Sequence, residues 1–181
     1  MTSKTHVLVL PGLGNSGPEH WQSIWEREGQ HVERVLQREW DTPQCSEWVG
    51  RLNEILEARS SPAVFAAHSS ACALVAHWAA QAPARLSSRI KGALLVAPSD
   101  PDGPAYPIGP VGFGPVPMQP ILFPTIVVAS SDDKYISPLR AKQYADAWGS
   151  RFVLLEDAGH INAASGFGPW PDGYSLLESL F

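Results

Sequence analysis

What the chain has little of narrows the field first. It carries only two cysteines, Cys45 and Cys72, in 181 residues, and they show neither zinc-site spacing nor a disulfide framework. A reducing, cytoplasmic location is the expectation. No apolar run approaches the ~18 residues that a membrane helix needs. The opening, MTSKTHVLVLPGLG, goes directly into a strand-like segment without a signal-peptide pattern. Positive charge is sparse: 13 Lys and Arg stand against 18 Asp and Glu, a net charge of −5. With no basic block, neither nucleic acid nor an anionic membrane is expected as a partner. No internal repeat is visible. What is there is the composition of a folded protein, 44% hydrophobic and 17% charged, of a length that suits one domain over residues 1–181.

Short apolar segments punctuate the chain. HVLVLP (6–11), AVFAAH (63–68), GALLVAP (92–98), TIVVAS (125–130) and FVLLED (152–157) read as strands, and HVERVLQ (31–37) as another. Between them lie segments of helical period. PEHWQSIWEREG (18–29) has Pro18 at its start and Gly29 at its stop, and in residues 46–59 Trp48, Val49, Leu52, Ile55 and Leu56 share one face. Residues 70–82, 138–148 and 173–181 read as three more helices. Six strands alternating with helices predict an α/β fold, a mostly parallel six-stranded sheet with helices on both faces. One connection breaks the rhythm. Residues 98–124 are dense in Pro and Gly with no helical period, and so long a loop is expected to be functional or flexible.

Ligands of such sheets sit beyond the carboxyl ends of the strands, and two constellations compete there. After the first strand, Gly12, Gly14 and Gly17 have G-x-G-x-x-G spacing, with Glu39 and Asp41 roughly 20 residues on, where a ribose-binding acid is expected. This points to a dinucleotide. Against it, Pro18 and the bulky His20 and Trp21 follow Gly17, so the helix is expected to start after the glycine that should lie against it.

After the third strand comes AAHSSACA. A nucleophile elbow is a strand–turn–helix with small residues two before and two after the serine, because the turn brings two backbones together. Ser69 has Ala67 and Ala71 at those positions, whereas Ser70 would have His68 and Cys72. Ser69 is therefore the candidate nucleophile, and Ser70 would supply a backbone N–H. A serine needs a base, and the base needs an acid to orient it. On this fold class the chain order is Ser, Asp or Glu, His. SSDDKYISP after the fifth strand offers Asp132 and Asp133, and EDAGHINAASGFGPWP after the sixth offers His160.

LPGLGNSGPEHWQSIWE, AAHSSACA, SSDDKYISP and DAGHINAASGFGPWPDG together resemble the retinoblastoma-binding-protein-9-like serine hydrolases, small α/β-hydrolases without a separate cap domain. The resemblance spans nearly the whole chain. It implies that Asp133 rather than Asp132 is the acid. It also implies that the backbone N–H groups of Leu13 and Ser70 form an oxyanion hole, with Gly12 and Gly14 allowing the loop to approach. The family usually has glycine where this chain has Ala71.

The expectation is thus a serine hydrolase acting on a small ester, thioester or amide through Ser69, Asp133 and His160, with no metal or organic cofactor. His20, Trp21, Trp40, Asp41 and Trp170 are candidates for the pocket wall, and the prolines and aromatics of the flanking loops suggest an apolar site. Two alternatives stand beside this: a dinucleotide-binding protein, or a binding module that retains the hydrolase fold with little turnover.

Overall fold

A computed structural model describes residues 5–181. In chain order it contains β1 (His6–Leu10), α1 (Trp21–Glu28), β2 (Val32–Arg34), α2 (Cys45–Glu57), β3 (Ala63–His68) and α3 (Ser70–Gln81). There follow a four-residue helix α4 (Ala84–Ser87), β4 (Ile90–Val96), β5 (Thr125–Ser130), α5 (Pro138–Trp148), β6 (Arg151–Leu155) and α6 (Pro171–Glu178). The strands form one sheet in the order β2-β1-β3-β4-β5-β6, and every neighbouring pair is parallel.

The continuous apolar runs follow from this arrangement. A parallel sheet covered by helices on both faces buries every residue of its inner strands, and β3 and β5 are buried throughout. Strand alternation divides the core in two. Leu8, Leu10, Phe65, Leu95 and Val127 pack with α2, α3 and α5. Val7, Val9, Val64, Leu94 and Val128 pack with Trp21 and Trp25 of α1 and Leu177 of α6. The chain pairs β1 with β2 on one side and then returns to β3 on the other. The carboxyl ends of β1 and β3 therefore flank the point where the strand order reverses, where a crevice opens.

Some boundaries differ from those read in the sequence. The helix expected from residue 18 begins only at Trp21. His20 is extended, and its Nδ1 accepts the Gln22 N–H at 3.2 Å. An imidazole thus does the work usually done by Ser, Thr, Asp or Asn. β2 pairs over three residues instead of seven. It lies at the sheet edge with one neighbour, and the Arg34 side chain turns back to Glu26, Asn15 and Ser23. The last helix starts at Pro171, and α4 was not expected at all.

The 98–124 segment forms no helix or strand, yet it is well anchored. Phe113 and Phe123 are buried. The His77 Nε2–H donates to the Phe113 carbonyl at 2.8 Å, and the Trp148 indole N–H to that of Pro117 at 2.9 Å.

Candidate active site

At the end of β3 the backbone of Ser69 takes φ 59°, ψ −125°. A non-glycine residue pays roughly 1–3 kcal/mol for such a conformation. The turn leaves Ser69 facing a cavity, and α3 begins at the next residue. Ala67 and Ala71 are fully buried on either side of the turn. The β1 loop closes over the elbow at Gly12, where an added Cβ would stand 2.8 Å from Ser69 Cβ and 3.0 Å from the His68 carbonyl. Only glycine permits that approach. It sets Leu13, whose N–H has no partner among the described residues, beside the elbow.

Ser69 Oγ lies 3.0 Å from His160 Nε2, and His160 Nδ1 lies 2.8 Å from Asp133 Oδ2. The Asp133 side chain has no exposed surface, and its other oxygen accepts the Tyr135 N–H at 2.9 Å. With the Asp133 carboxyl oxygen as acceptor, His160 Nδ1 carries the ring hydrogen and Nε2 faces the Ser69 hydroxyl. Asp132 points elsewhere. Its Oδ1 accepts from the Ser130 hydroxyl and from the Gly159 N–H, both at 2.7 Å, and the former above all holds its carboxyl below the usual carboxylate range.

The loop carrying His160 is clamped from several sides. The Trp21 indole N–H donates to the Ile161 carbonyl at 3.0 Å, and that of Trp25 to Pro169 at 2.8 Å. His68 Nε2–H donates to the His160 carbonyl at 2.9 Å, and the Tyr135 ring meets the imidazole edge-on at 4.6 Å. Burial holds the His68 imidazole well below its ordinary range, so it is neutral. Burial, with Arg34 and His160 nearby, brings His20 down to about 4. A hydroxyl, a neutral imidazole and a buried carboxylate in hydrogen-bonded series can pass a proton from the first to the second while the third balances the charge.

A cavity of about 460 Å³ opens on Ser69 and His160. Of the five residues proposed for its wall, it is lined by His20 alone. Trp21 is fully buried beneath it. Trp40 packs edge-on against Trp48 at 5.7 Å. Asp41 is exposed on a turn. Trp170 stacks on Trp25, and Gly173 has no Cβ because one would collide with the Trp170 indole. Trp21 and Trp25 thus support the His160 loop from beneath, and Trp40 belongs to the core layer around Trp48. Nor is the wall simply apolar: Asn15, Ser99, Lys134 and Asn162 share it with Leu13 and Pro107.

Sequence reasoning passed over two hydroxyls here. Ser99 Oγ is 2.8 Å from Ser69 Oγ, and the Tyr106 hydroxyl donates to Ser70 Oγ at 3.0 Å. Ser99 lies just past the carboxyl end of β4, and that position was its one signal. The third glycine of the Gly12-x-Gly14-x-x-Gly17 pattern has no close-packing role, since a Cβ at Gly17 would meet nothing within 4 Å.

The sequence matches the serine hydrolase family over residues 7–179. The chain belongs to that family. Among solved structures, this serine hydrolase is similar to a chain described as a YdeN-like hydrolase from Pectobacterium atrosepticum, with 34% identity, 98% of this chain and 90% of that one covered, and a TM-score of 0.85. It is similar to the ydeN gene product of B. subtilis at 17% identity, covering 98% and 99% of the two chains with a TM-score of 0.79. A thermophilic esterase from Thermogutta terrifontis shares the fold at 15% identity, covering 99% and 90%, with a TM-score of 0.69. No curated protein matches the chain. The fold is that of the α/β-hydrolases, and the described residues form no separate cap. Among the described residues no helix is long and apolar enough to cross a membrane.

Proposed function

We propose that this serine hydrolase is a carboxylesterase-type acyl hydrolase, contained in one domain, that uses Ser69 as nucleophile, His160 as base and Asp133 as the acid that orients it. One observation carries the reading: His160 stands 3.0 Å from Ser69 Oγ on one nitrogen and 2.8 Å from the buried Asp133 on the other.

In the first half-reaction His160 Nε2 takes the Ser69 proton as Oγ attacks the substrate carbonyl. The carbonyl oxygen becomes an anion facing the N–H groups of Leu13 and Ser70. Each such donor is worth about 3 kcal/mol when it meets the charge only in the transition state. Asp133 holds the imidazole in the tautomer that accepts and stabilises the imidazolium that forms. His160 then gives the proton to the leaving group. Water, activated by the same nitrogen, releases the acyl group and restores Ser69. The cavity, with polar groups at Asn15, Ser99 and Asn162, accommodates a small acyl substrate with hydrogen-bonding groups. This refines the apolar pocket expected from the loop composition.

The test is labelling by a fluorophosphonate probe together with hydrolysis of p-nitrophenyl acetate. Wild type should be labelled at Ser69. Ser69→Ala and His160→Ala should lose hydrolysis while keeping their melting transitions. Retention of more than about a hundredth of the rate by Ser69→Ala would overturn the reading, since loss of a nucleophile costs far more.

A further inference from the structure

We propose that Ser99 is a catalytic residue whose hydroxyl stabilises the charge developing on Ser69 Oγ as the acyl-enzyme breaks down. The inference rests on the acyl-hydrolase reading above. Its starting point is hydrogen-bond direction. With the Ser69 proton directed to His160 Nε2 at 3.0 Å, the bond between Ser69 Oγ and Ser99 Oγ at 2.8 Å must have Ser99 as its donor. Ser99 is 4% exposed, and its hydroxyl has no other partner among the described residues.

The fold holds it there from both sides. Ala97, fully buried, takes φ 46° at the end of β4, and its N–H donates to the Val128 carbonyl at 2.7 Å. This left-handed residue turns the chain across the end of β3. A backbone in that region persists only where its surroundings impose it. On the far side the Asp100 N–H donates to the Tyr135 carbonyl at 3.1 Å. The Asp100 carboxylate accepts from Arg140 at 3.2 Å and from Tyr144 at 2.8 Å. Ser99 is therefore fixed between the elbow and the segment bearing Asp133.

The chemistry makes this hydroxyl asymmetric between the two half-reactions. Before attack, Ser69 Oγ already accepts the Ser99 hydrogen bond, so that bond gains only modestly as the oxygen turns towards alkoxide. In the acyl-enzyme, Oγ is an ester oxygen and a poor acceptor. Water adds to the acyl carbon and gives its proton to His160 Nε2. The tetrahedral intermediate then collapses, the C–Oγ bond breaks, and its electron pair goes to Oγ. His160 returns the proton to that oxygen. Until the proton arrives, the charge on Oγ is met by the Ser99 O–H. A hydrogen bond that becomes charge-assisted only in the transition state accelerates that step selectively.

The experiment is stopped-flow hydrolysis of p-nitrophenyl acetate by wild type, Ser99→Ala, Ser99→Cys and Ser99→Thr. The p-nitrophenolate burst reports acylation, the following phase reports deacylation, and intact mass reports acylated Ser69. Ser99→Ala should acylate within about threefold of wild type and deacylate about tenfold more slowly, the size expected of one hydrogen bond to a charged acceptor. Acyl-enzyme should accumulate. Ser99→Cys, nearly isosteric with a weak donor, should show the same split if the alanine variant does not fold. Ser99→Thr, which keeps the hydroxyl, should keep the wild-type ratio of the two rates. Equal loss in both steps would make Ser99 a packing residue and overturn the proposal, as would no change in either. Wild type that is not labelled at Ser69 by the fluorophosphonate removes the acyl-hydrolase reading itself. A labelled wild type with no split in the variants removes only the function of Ser99.

Discussion

Gly12→Ala is the sharpest steric probe of the site. The β-carbon it adds would sit 2.8 Å from Ser69 Cβ, 3.0 Å from the His68 carbonyl oxygen and 3.3 Å from Ser69 Oγ. The two nearest atoms, a Cβ and a backbone oxygen, cannot move without the backbone. Bringing the nearest contact to an ordinary 3.4 Å requires a shift of about 0.6 Å, taken up between the 11–14 loop and the elbow. That shift carries the Leu13 N–H away from the Ser70 N–H. Losing an oxyanion donor outright costs roughly 10²–10³ in rate, and a 1 Å misplacement roughly 10². A shift of this size should lower kcat about ten- to fiftyfold on p-nitrophenyl acetate, with KM changing little because the donors act on the transition state. Gly17→Ala is the matched control. Its Cβ meets nothing within 4 Å, so activity should be unchanged and stability unchanged or raised by a few tenths of a kcal/mol. A Gly12→Ala enzyme with a normal melting transition and a kcat within threefold of wild type would refute the placement of the oxyanion hole at Leu13.

Two further predictions concern charge. Asp133→Asn should cost more activity than Asp132→Asn, because only Asp133 reaches His160 Nδ1 while Asp132 holds the Gly159 N–H; kcat/KM with the reverse ranking would move the acid by one residue. His20 should make the protein acid-sensitive. Unfolded, it takes a proton near pH 6.5; folded and buried, only near 4. Between those values the unfolded state binds more protons, so stability is present above about pH 6.5 and falls as pH drops towards 4, by about 3 kcal/mol over the full window. Urea midpoints between pH 4 and 7 should show the decline in wild type and a flatter line in His20→Asn, which keeps a capping oxygen for α1. Equal slopes would show that another group controls it.

The sequence alone determined the features that depend on neighbours along the chain. β3, β5 and α5 begin and end where the residues place them, because a β-branched or apolar run, a Ser137 cap ahead of Pro138 and a Gly149 stop act over a few residues. The order serine, aspartates, histidine, each beyond a strand, was legible for the same reason. Only the tertiary structure decided what depends on distant partners. Asp132 and Asp133 are the same residue type one position apart, and the path of the 157–161 loop settles which one meets His160. Trp21, Trp40 and Trp170 look alike in a sequence whether they line a cavity or a core. Here they turn inward because carbonyls of a distant loop and other indoles lie beneath them. Ser99 has only its place beyond β4 to mark it, because a single serine after a strand has no pattern of its own. It acquires a partner only when parallel pairing brings the ends of β3 and β4 side by side. Sequence patterns report local conformation and burial, whereas a hydrogen bond between residues far apart in the chain exists only once the sheet has brought them together.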